Sequence, residues 1–274
     1  MILTDIHTHT KFSADGRGDI RDMIETALAK GISYYGISEH VNYDYTEQGI
    51  EIEGETENEI NIPLYFQTAR ALQEEYRGRL HLLIGCEFGF HDGPFCFREY
   101  QKIIDSFHPD FVVNSIHTCM GEECYFPEYT RGKEKRDAYN AYFQAVLASL
   151  DAPYPYDIVA HIGYCSRNAV YADPKIRYED FSEILDRILY RIVEKDKILE
   201  INTSSKTAGS PFLPDTDILR RYYEMGGRKV SYASDAHDPS RIMEKRDIVV
   251  AALKKIGFSC LSVPDCGKIL QIEI

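Results

Sequence analysis

The sequence predicts an α/β barrel of seven parallel strands, and three observations lead there. Strand-like and helix-like segments alternate almost from end to end, a pattern that calls for parallel pairing through right-handed crossovers. The length of 274 residues fits one domain over residues 1–274, since α/β barrels often run to roughly 200–250 residues undivided. Histidines and carboxylates stand at the ends of strands one, two, three, four, five and seven. An open doubly wound sheet would satisfy the alternation but would spread those ends along a line. A barrel brings them to one mouth.

The first strand is Ile2–His7. Asp19 then reads as an N-cap, Ile20, Met23, Ile24, Ala27 and Leu28 form one apolar face, and Gly31 ends the helix. Ile32–Ser38 is the second strand, closing on Glu39-His40. Val41–Pro63 is a long acidic loop carrying Asp44, Glu47, Glu51, Glu53, Glu55, Glu57 and Glu59, with no Lys or Arg. Tyr65, Ala69, Leu72 and Tyr76, spaced by four, three and four, mark a helix before Gly78. Leu80–Glu87 and Asp110–His117 are the third and fourth strands. A polar loop over Thr118–Lys135 leads to a helix with Ala138, Ala141, Tyr142, Ala145 and Val146 on one side.

Asp157–His161 is a short fifth strand. Phe181, Ile184, Leu185, Ile188 and Ile192 form the next helical face, and Ile198–Asn202 is the sixth strand, with Glu200 inside it. Ile218, Leu219 and Tyr222 belong to a helix stopped by Gly226-Gly227. Lys229–Ser234 is the seventh strand and runs into Asp235-Ala236-His237. A helix over about Arg241–Ile256 carries Ile242, Val249, Leu253 and Ile256 and ends at Gly257. Phe258–Ile274 is a β-rich tail without an evident place.

Composition narrows the classes. Hydrophobic residues make up 44% and charged residues 27%, enough for a globular core and too ordered a mixture for a disordered chain. No apolar run approaches the roughly 20 residues that span a bilayer, and Asp5, His7 and His9 make the first ten residues too polar for a secretory signal. The seven cysteines include no Cys-x-x-Cys pair; with the missing signal, this predicts free thiols in a reducing cytoplasm. A formal net charge of −13 works against non-specific nucleic-acid binding, which needs Lys and Arg against phosphates.

The chemistry sits at the strand ends. His7, His9, Asp15, His40, Glu87, His117, His161, Asp235 and His237 all fall at or just beyond a predicted strand end. Each alone has an ordinary explanation as a hydrogen-bonded polar group. Together they are a multinuclear metal site. Their donors are nitrogen and oxygen with no thiolate, which suits Zn, Mn, Fe or Co and argues against a structural Cys-rich zinc site. Cys86 precedes Glu87 and should point to the opposite face of its strand, toward packing. His81, His91 and His108 lie away from the strand ends and read as surface or structural histidines.

Several short phrases resemble the PHP superfamily of metal-dependent phosphoesterases. They are His-Thr-His at residues 7–9, Ser-Ala-Asp-Gly at 13–16, Ser-Glu-His at 38–40, Gly-Cys-Glu at 85–87, Asn-Ser-Ile-His-Thr at 114–118, Ala-His-Ile-Gly at 160–163 and Ser-Asp-Ala-His at 234–237. Glu-Tyr-Arg-Gly before strand three and Glu-Ile-Asn-Thr-Ser at 200–204 make the likeness greatest to PHP-type histidinol-phosphate phosphatases. The likeness runs from Leu3 to about Gly257.

The resemblance implies a distorted (β/α)7 barrel, TIM-barrel-like, holding three divalent or trivalent ions. It assigns His7, His9, Glu87 and Asp235 to the first ion, a bridging Glu87 with His117 and His161 to the second, and Asp15, His40 and His237 to the third. It also implies L-histidinol phosphate as substrate, in histidine biosynthesis. Water shared between metal ions loses a proton near neutral pH, and the hydroxide can attack phosphorus without a protein nucleophile. Glu87, Asp235 and His237 are then the candidate catalytic residues, with no settled general acid.

Phosphate also calls for a cation. Arg167, six residues after His161, is one candidate, and the resemblance supports it. Where the family often continues Ser-Gly-x-Arg after strand six, this chain has Ser204-Ser205-Lys206-Thr207. Lys206 is the substitute there, as a point charge rather than a fork. The acidic loop could attract the cationic end of histidinol phosphate, or could simply be a solvated surface. The alternatives are a PHP phosphoesterase for another small phosphate monoester, a PHP nuclease, and a metal-binding protein without turnover. Neither a membrane nor a nucleic acid is expected as a partner, and the oligomeric state is open.

Overall fold

The computed structural model describes residues 3–51, 60–207 and 209–274. Seven parallel strands form one sheet: β1 (Leu3–Asp5), β2 (Ile32–Val41), β3 (His81–Gly89), β4 (Phe111–Ser115), β7 (Ile158–Val159), β8 (Ile198–Asn202) and β9 (Val230–Ala233), in that spatial order. Between β4 and β7 lies a small hairpin, β5 (Thr118–Cys119) and β6 (Glu122–Glu123). The sheet curls until its outer strands meet. The N–H of Ile6 donates to Tyr232 O at 3.3 Å, that of Asp235 to His7 O at 2.9 Å, and that of His9 to Ala236 O at 2.9 Å. The result is a nearly closed barrel, the architecture expected from the alternation.

Strand alternation sorts the side chains. On β3, Ile84, Cys86 and Phe88 face the surrounding helices, while Leu83 belongs to a separate interior group with Ile6, Phe111, Val113, Ile158, Ala160 and Ile198. Cys86 is therefore packing, as its position beside Glu87 suggested. Gly85 lies between Leu83 and Glu87 on the interior face. A Cβ there would come within 2.6 Å of the Phe111 ring, so glycine is what lets that ring fill the barrel.

The helices wrap this sheet: α1 (Ile20–Ala29), α2 (Tyr43–Gln48), α3 (Ile62–Glu75), α4 (Pro94–Phe107), α5 (Lys135–Ser149), α6 (Ser182–Glu194), α7 (Thr216–Glu224) and α8 (Arg246–Ile256). The Asp19 side chain accepts from the N–H of Arg21, as a cap should, and Ile20, Met23, Ile24 and Ala27 are buried. Among the described residues no helix is long and apolar enough to cross a membrane. All seven cysteines are free.

Several findings depart from the sequence reading, beginning with helix α2 inside the stretch Val41–Pro63 and the β5–β6 hairpin inside Thr118–Lys135, both read as loops. Helix α4 fills the stretch between β3 and β4, its buried face made of Cys96, Tyr100 and Ile103. Helix α8 starts only at Arg246, because a 3-10 turn over Pro239–Arg241 and the extended Ile242 precede it. The tail beyond Phe258 forms an antiparallel hairpin, β10 (Cys260–Asp265) and β11 (Lys268–Glu273). It plugs the barrel end where the strands begin. Val263 and Ile272 join the interior group, Asp265 meets His81 at 3.1 Å, and the Cys266 N–H donates to Asp110 O at 2.9 Å.

Candidate metal centre

The opposite end of the barrel collects the polar residues. Parallel register sets His40 on β2 directly beside Glu87 on β3. Ser115, at the end of β4, donates to Glu87 Oε1 at 2.5 Å, and His117 follows two residues later. The seam between the outer strands brings His7 and His9 against Asp235 and His237. Asp15 rides on the loop after β1, which Glu39 clamps from below. Buried Glu39 accepts from the Thr10 N–H at 3.1 Å and hydroxyl at 2.6 Å and from the Ser13 hydroxyl at 2.6 Å.

All nine candidate ligands converge on one volume. His7 Nε2 and His9 Nε2 are 3.0 Å apart and lie 3.3 and 3.5 Å from Glu87 Oε2. Asp235 Oδ1 is 3.2 Å from His9 Nε2. Glu87 Oε1 is 3.2 Å from His117 Nε2 and 2.9 Å from His161 Nε2. His40 Nε2 and His237 Nε2 are 3.2 Å apart, with Asp15 Oδ2 3.0 Å from His237. Three sets can each converge on one ion: His7, His9 and Glu87; His9, His40 and His237; and His40, Glu87 and His117. His81, His91 and His108 are elsewhere, respectively paired with Asp265, accepting from the Gly93 N–H, and capping α4.

The arrangement fits metal ions on two physical grounds. Imidazole nitrogens that point at one another share no proton well, but they can share a cation. Glu87 Oε2 and His40 Nδ1, both buried, are 2.7 Å apart as an ion pair but out of line for a hydrogen bond. Buried polar atoms are almost always satisfied, so such orphans ask for an ion. The donors are imidazole and carboxylate throughout, the set expected of Zn or a similar ion.

Electrostatics agree. Burial opposes ionisation of Glu87, but His7, His117 and His40 around it hold its carboxyl well below the ordinary carboxylate range. Burial likewise opposes ionisation of Asp235, and the Arg167 guanidinium and the His9 hydrogen bond outweigh it. His9 is pushed well below the usual imidazole range by burial and by the neighbouring His40 and His237, whereas the surrounding carboxylates outweigh burial and raise His7, His40 and His117 in the absence of a cation. A neutral imidazole is the form that binds a metal. Asp235 also adopts φ of 50°, a left-handed conformation rare outside glycine, and such strain concentrates at functional sites.

A cavity of about 480 Å³ opens over the cluster. Arg167 lies in its wall. It is buried, its guanidinium donates at 2.9 Å to both Asp235 Oδ2 and Asn202 Oδ1, and its Nε has no partner. Lys206 also lines the cavity but is exposed, and its Nζ donates to the Tyr125 hydroxyl. Among the described residues, the acidic loop supplies none of the cavity's carboxylates. Asp44 is buried behind it, packed on Gly89, and Glu47 accepts from the Cys96 N–H at 2.9 Å at the start of α4. The loop contributes Asn42, Tyr45 and Ile60 to the lining instead; Glu53, Glu55, Glu57 and Glu59 lie outside the described residues.

Besides Asp238, the wall holds the acid Glu123, on β6. Its carboxylate accepts from the hydroxyls of Tyr45 and Tyr164 (3.0 Å for the latter) and from the Tyr125 N–H at 2.9 Å. Nothing in the polar loop 118–135 singles it out, except that the Met120-Gly121 turn of a hairpin sends β6 back toward His117. Glu200 is the second omission: its Oε2 lies 2.6 Å from His7 Nδ1. Cationic and anionic ends therefore share one cavity, with the ligand cluster at its floor.

This fold and this cluster define a barrel of the PHP type. The PHP domain family matches residues 5–204, and the chain belongs to that family. It is 32% identical over 236 residues to a protein of Clostridium acetobutylicum named "Probable histidinol-phosphatase", covering 85% of this chain and 86% of that one. It is 30% identical over 255 residues to the histidinol-phosphatase of Lactococcus lactis, covering 93% and 91%. The crystal structure of histidinol phosphate phosphatase from Lactococcus lactis, complexed with Zn, L-histidinol and phosphate, superposes with a TM-score of 0.84 at 28% identity over 98% of each chain.

Proposed function

We propose that this protein is a metal-dependent phosphoric monoester hydrolase that cleaves L-histidinol phosphate to L-histidinol and phosphate. The observation that carries the reading is the polarity of one cavity. Its floor is the Glu87-centred cluster, Arg167 stands over one side, and Glu123 with the rings of Tyr45, Tyr125 and Tyr164 forms another. Histidinol phosphate has the matching halves, a phosphate and a cationic imidazole–amine. Its resemblance to the Lactococcus lactis protein over nearly the whole chain supports the same choice.

In this reading His7, His9, Glu87 and Asp235 hold one ion, Glu87, His117 and His161 a second, and Asp15, His40 and His237 a third. Bound metal ions supply charge against the phosphate oxygens and lower the pKa of water. The chain's own residues do the rest. Arg167 lines the cavity with a guanidinium already anchored by Asp235 and Asn202, so little order is lost when phosphate docks. Glu123 receives the cationic end, helped by aromatic faces. Asp235 and His237 line the cavity as ligands that also face the bound substrate.

One initial-rate panel on zinc-replete protein tests this. Histidinol phosphate should exceed sugar and nucleotide phosphates by about 100-fold in kcat/KM, a gap of ~2.7 kcal/mol, and single-stranded DNA should not be cut. Equal rates across the monoesters would replace the substrate assignment with the broader phosphoesterase reading that Lys206 invites. Glu123→Gln should raise KM for histidinol phosphate and leave an uncharged aryl phosphate unaffected.

A further inference from the structure

Of the Glu-Ile-Asn-Thr-Ser phrase at the end of β8, only the Asn202 contact with Arg167 has a role in the scheme above. Ile198 faces the barrel interior, so Glu200 and Asn202 follow it inward at the period of two. Both are fully buried, and neither lines the cavity. They sit behind the site rather than in it.

Three N–H groups converge on the Glu200 carboxylate. His7 Nδ1 lies 2.6 Å from Oε2, and Oε1 accepts from the His161 backbone N–H at 3.0 Å and from Asn202 Nδ2 at 2.8 Å. Asn202 then turns outward. Its Oδ1 accepts from Arg167 at 2.9 Å and from the Ser204 N–H at 2.9 Å, while its Nδ2 also reaches Asp235 Oδ2 at 3.2 Å. Two side chains on one strand thus connect His7 and His161 with Arg167 and Asp235.

We infer that Glu200 and Asn202 are a positioning pair: Glu200 fixes the rings of the metal-facing His7 and the turn at His161, and Asn202 carries that order to the phosphate-facing Arg167. An imidazole that donates from Nδ1 to a carboxylate keeps Nε2 free of a proton and correctly turned, and it gains basicity. A carboxylate only accepts, so it can satisfy three donors at once. An amide of the same size cannot. Whichever way a glutamine at 200 is turned, its NH2 meets at least one N–H head-on.

The inference rests on the metal reading above, and its test separates the two. Zinc affinity of the purified full chain is measured by competition with a chelating dye, for wild type, Glu200→Gln, Glu200→Asp and Asn202→Ala. Inhibition by inorganic phosphate is measured alongside. Wild type should bind zinc; if it binds none, the metal reading fails and takes this inference with it. Glu200→Gln should weaken zinc about 10–100-fold, the range for partners behind a metal ligand. Glu200→Asp, which keeps two accepting oxygens, should recover part of that loss. Asn202→Ala should hold zinc within about threefold but need about tenfold more phosphate for half inhibition, the cost of one lost charge-assisted contact. Zinc affinity equal to wild type in Glu200→Gln, or equal in Glu200→Gln and Glu200→Asp, would overturn the role of Glu200. Unchanged phosphate inhibition in Asn202→Ala would overturn the link to Arg167. Should Glu200→Gln fail to fold, the aspartate and alanine variants still decide.

Discussion

The two ends of this barrel are built from the same strands and obey opposite rules. Where the strands begin, Val263 and Ile272 of the terminal hairpin close on Leu83, Phe111 and Ile198 in an apolar group. Where they end, His7, Glu87 and Glu200 are just as buried but carry charge or polar atoms, some without partners. Strand β3 makes the change in five residues, from Leu83 through Gly85 to Glu87. The plug end stabilises itself, each buried Val or Ile contributing about 1.5–3 kcal/mol. The mouth does not. Its carboxylates and imidazoles are placed for a ligand, the usual location for a departure from local stability rules.

Substitutions at the two ends should therefore separate binding from folding. The largest effect is expected for Glu87→Ala, which should cut kcat/KM by at least about 10³-fold, ~4 kcal/mol. It should also remove more bound metal than His40→Ala, because in the proposed scheme one carboxylate serves two ions; equal metal content in the two variants would break the bridge. At the other end, Ile272→Ala should cost ~2–4 kcal/mol in urea unfolding. The folded variant should keep its metal and its rate at 25 °C, and a parallel loss of metal would show the two ends to be coupled.

Arg167→Ala should lower kcat/KM about 100-fold, ~2.7 kcal/mol, with metal content intact; retained activity would make it a wall residue only. A pH effect concerns Asp44. Burial pushes its carboxyl up to about 7, despite the opposing pull of His117 and of the Thr118 hydroxyl that donates to it. The folded state then holds a proton that the unfolded chain has released, so stability falls as pH rises from about 4 to 7 and levels off above. Asp44→Asn should remove that fall. Unfolding of metal-free protein at pH 5 and pH 8 checks it, and an unchanged slope would mean that another group titrates there.

The parts of this molecule legible in the sequence are those set by local periodicity and by residue type. Alternation along Leu80–Glu87 announces both the strand and the opposite facing of Cys86 and Glu87, and nine N/O donors at strand ends announce their cluster. Helix α4 is harder to see because its buried face is Cys96, Tyr100 and Ile103, set among Arg98, Glu99 and Lys102. The acidic loop misleads for a related reason: charge suggests solvent, whereas Asp44 and Glu47 find room only because Gly89 and Gly93 have no side chains. Partnerships across the barrel are not legible at all. His7 and Glu200 lie 193 positions apart, and no spacing rule links them.

The seam between β1 and β9 joins residues 6–9 to residues 232–236 through a handful of backbone hydrogen bonds and the isolated bridge of Thr8 with Ala236. His7 and His9 lie on one bank and Asp235 on the other. An ion gripped by all three would tie the beginning of the chain to a point more than two hundred residues later, across the costliest loop closure in the fold. Unfolding would have to surrender it. Resistance to heat should then rise with free metal concentration by mass action, so the cofactor that serves the chemistry would also act as the rivet of the barrel.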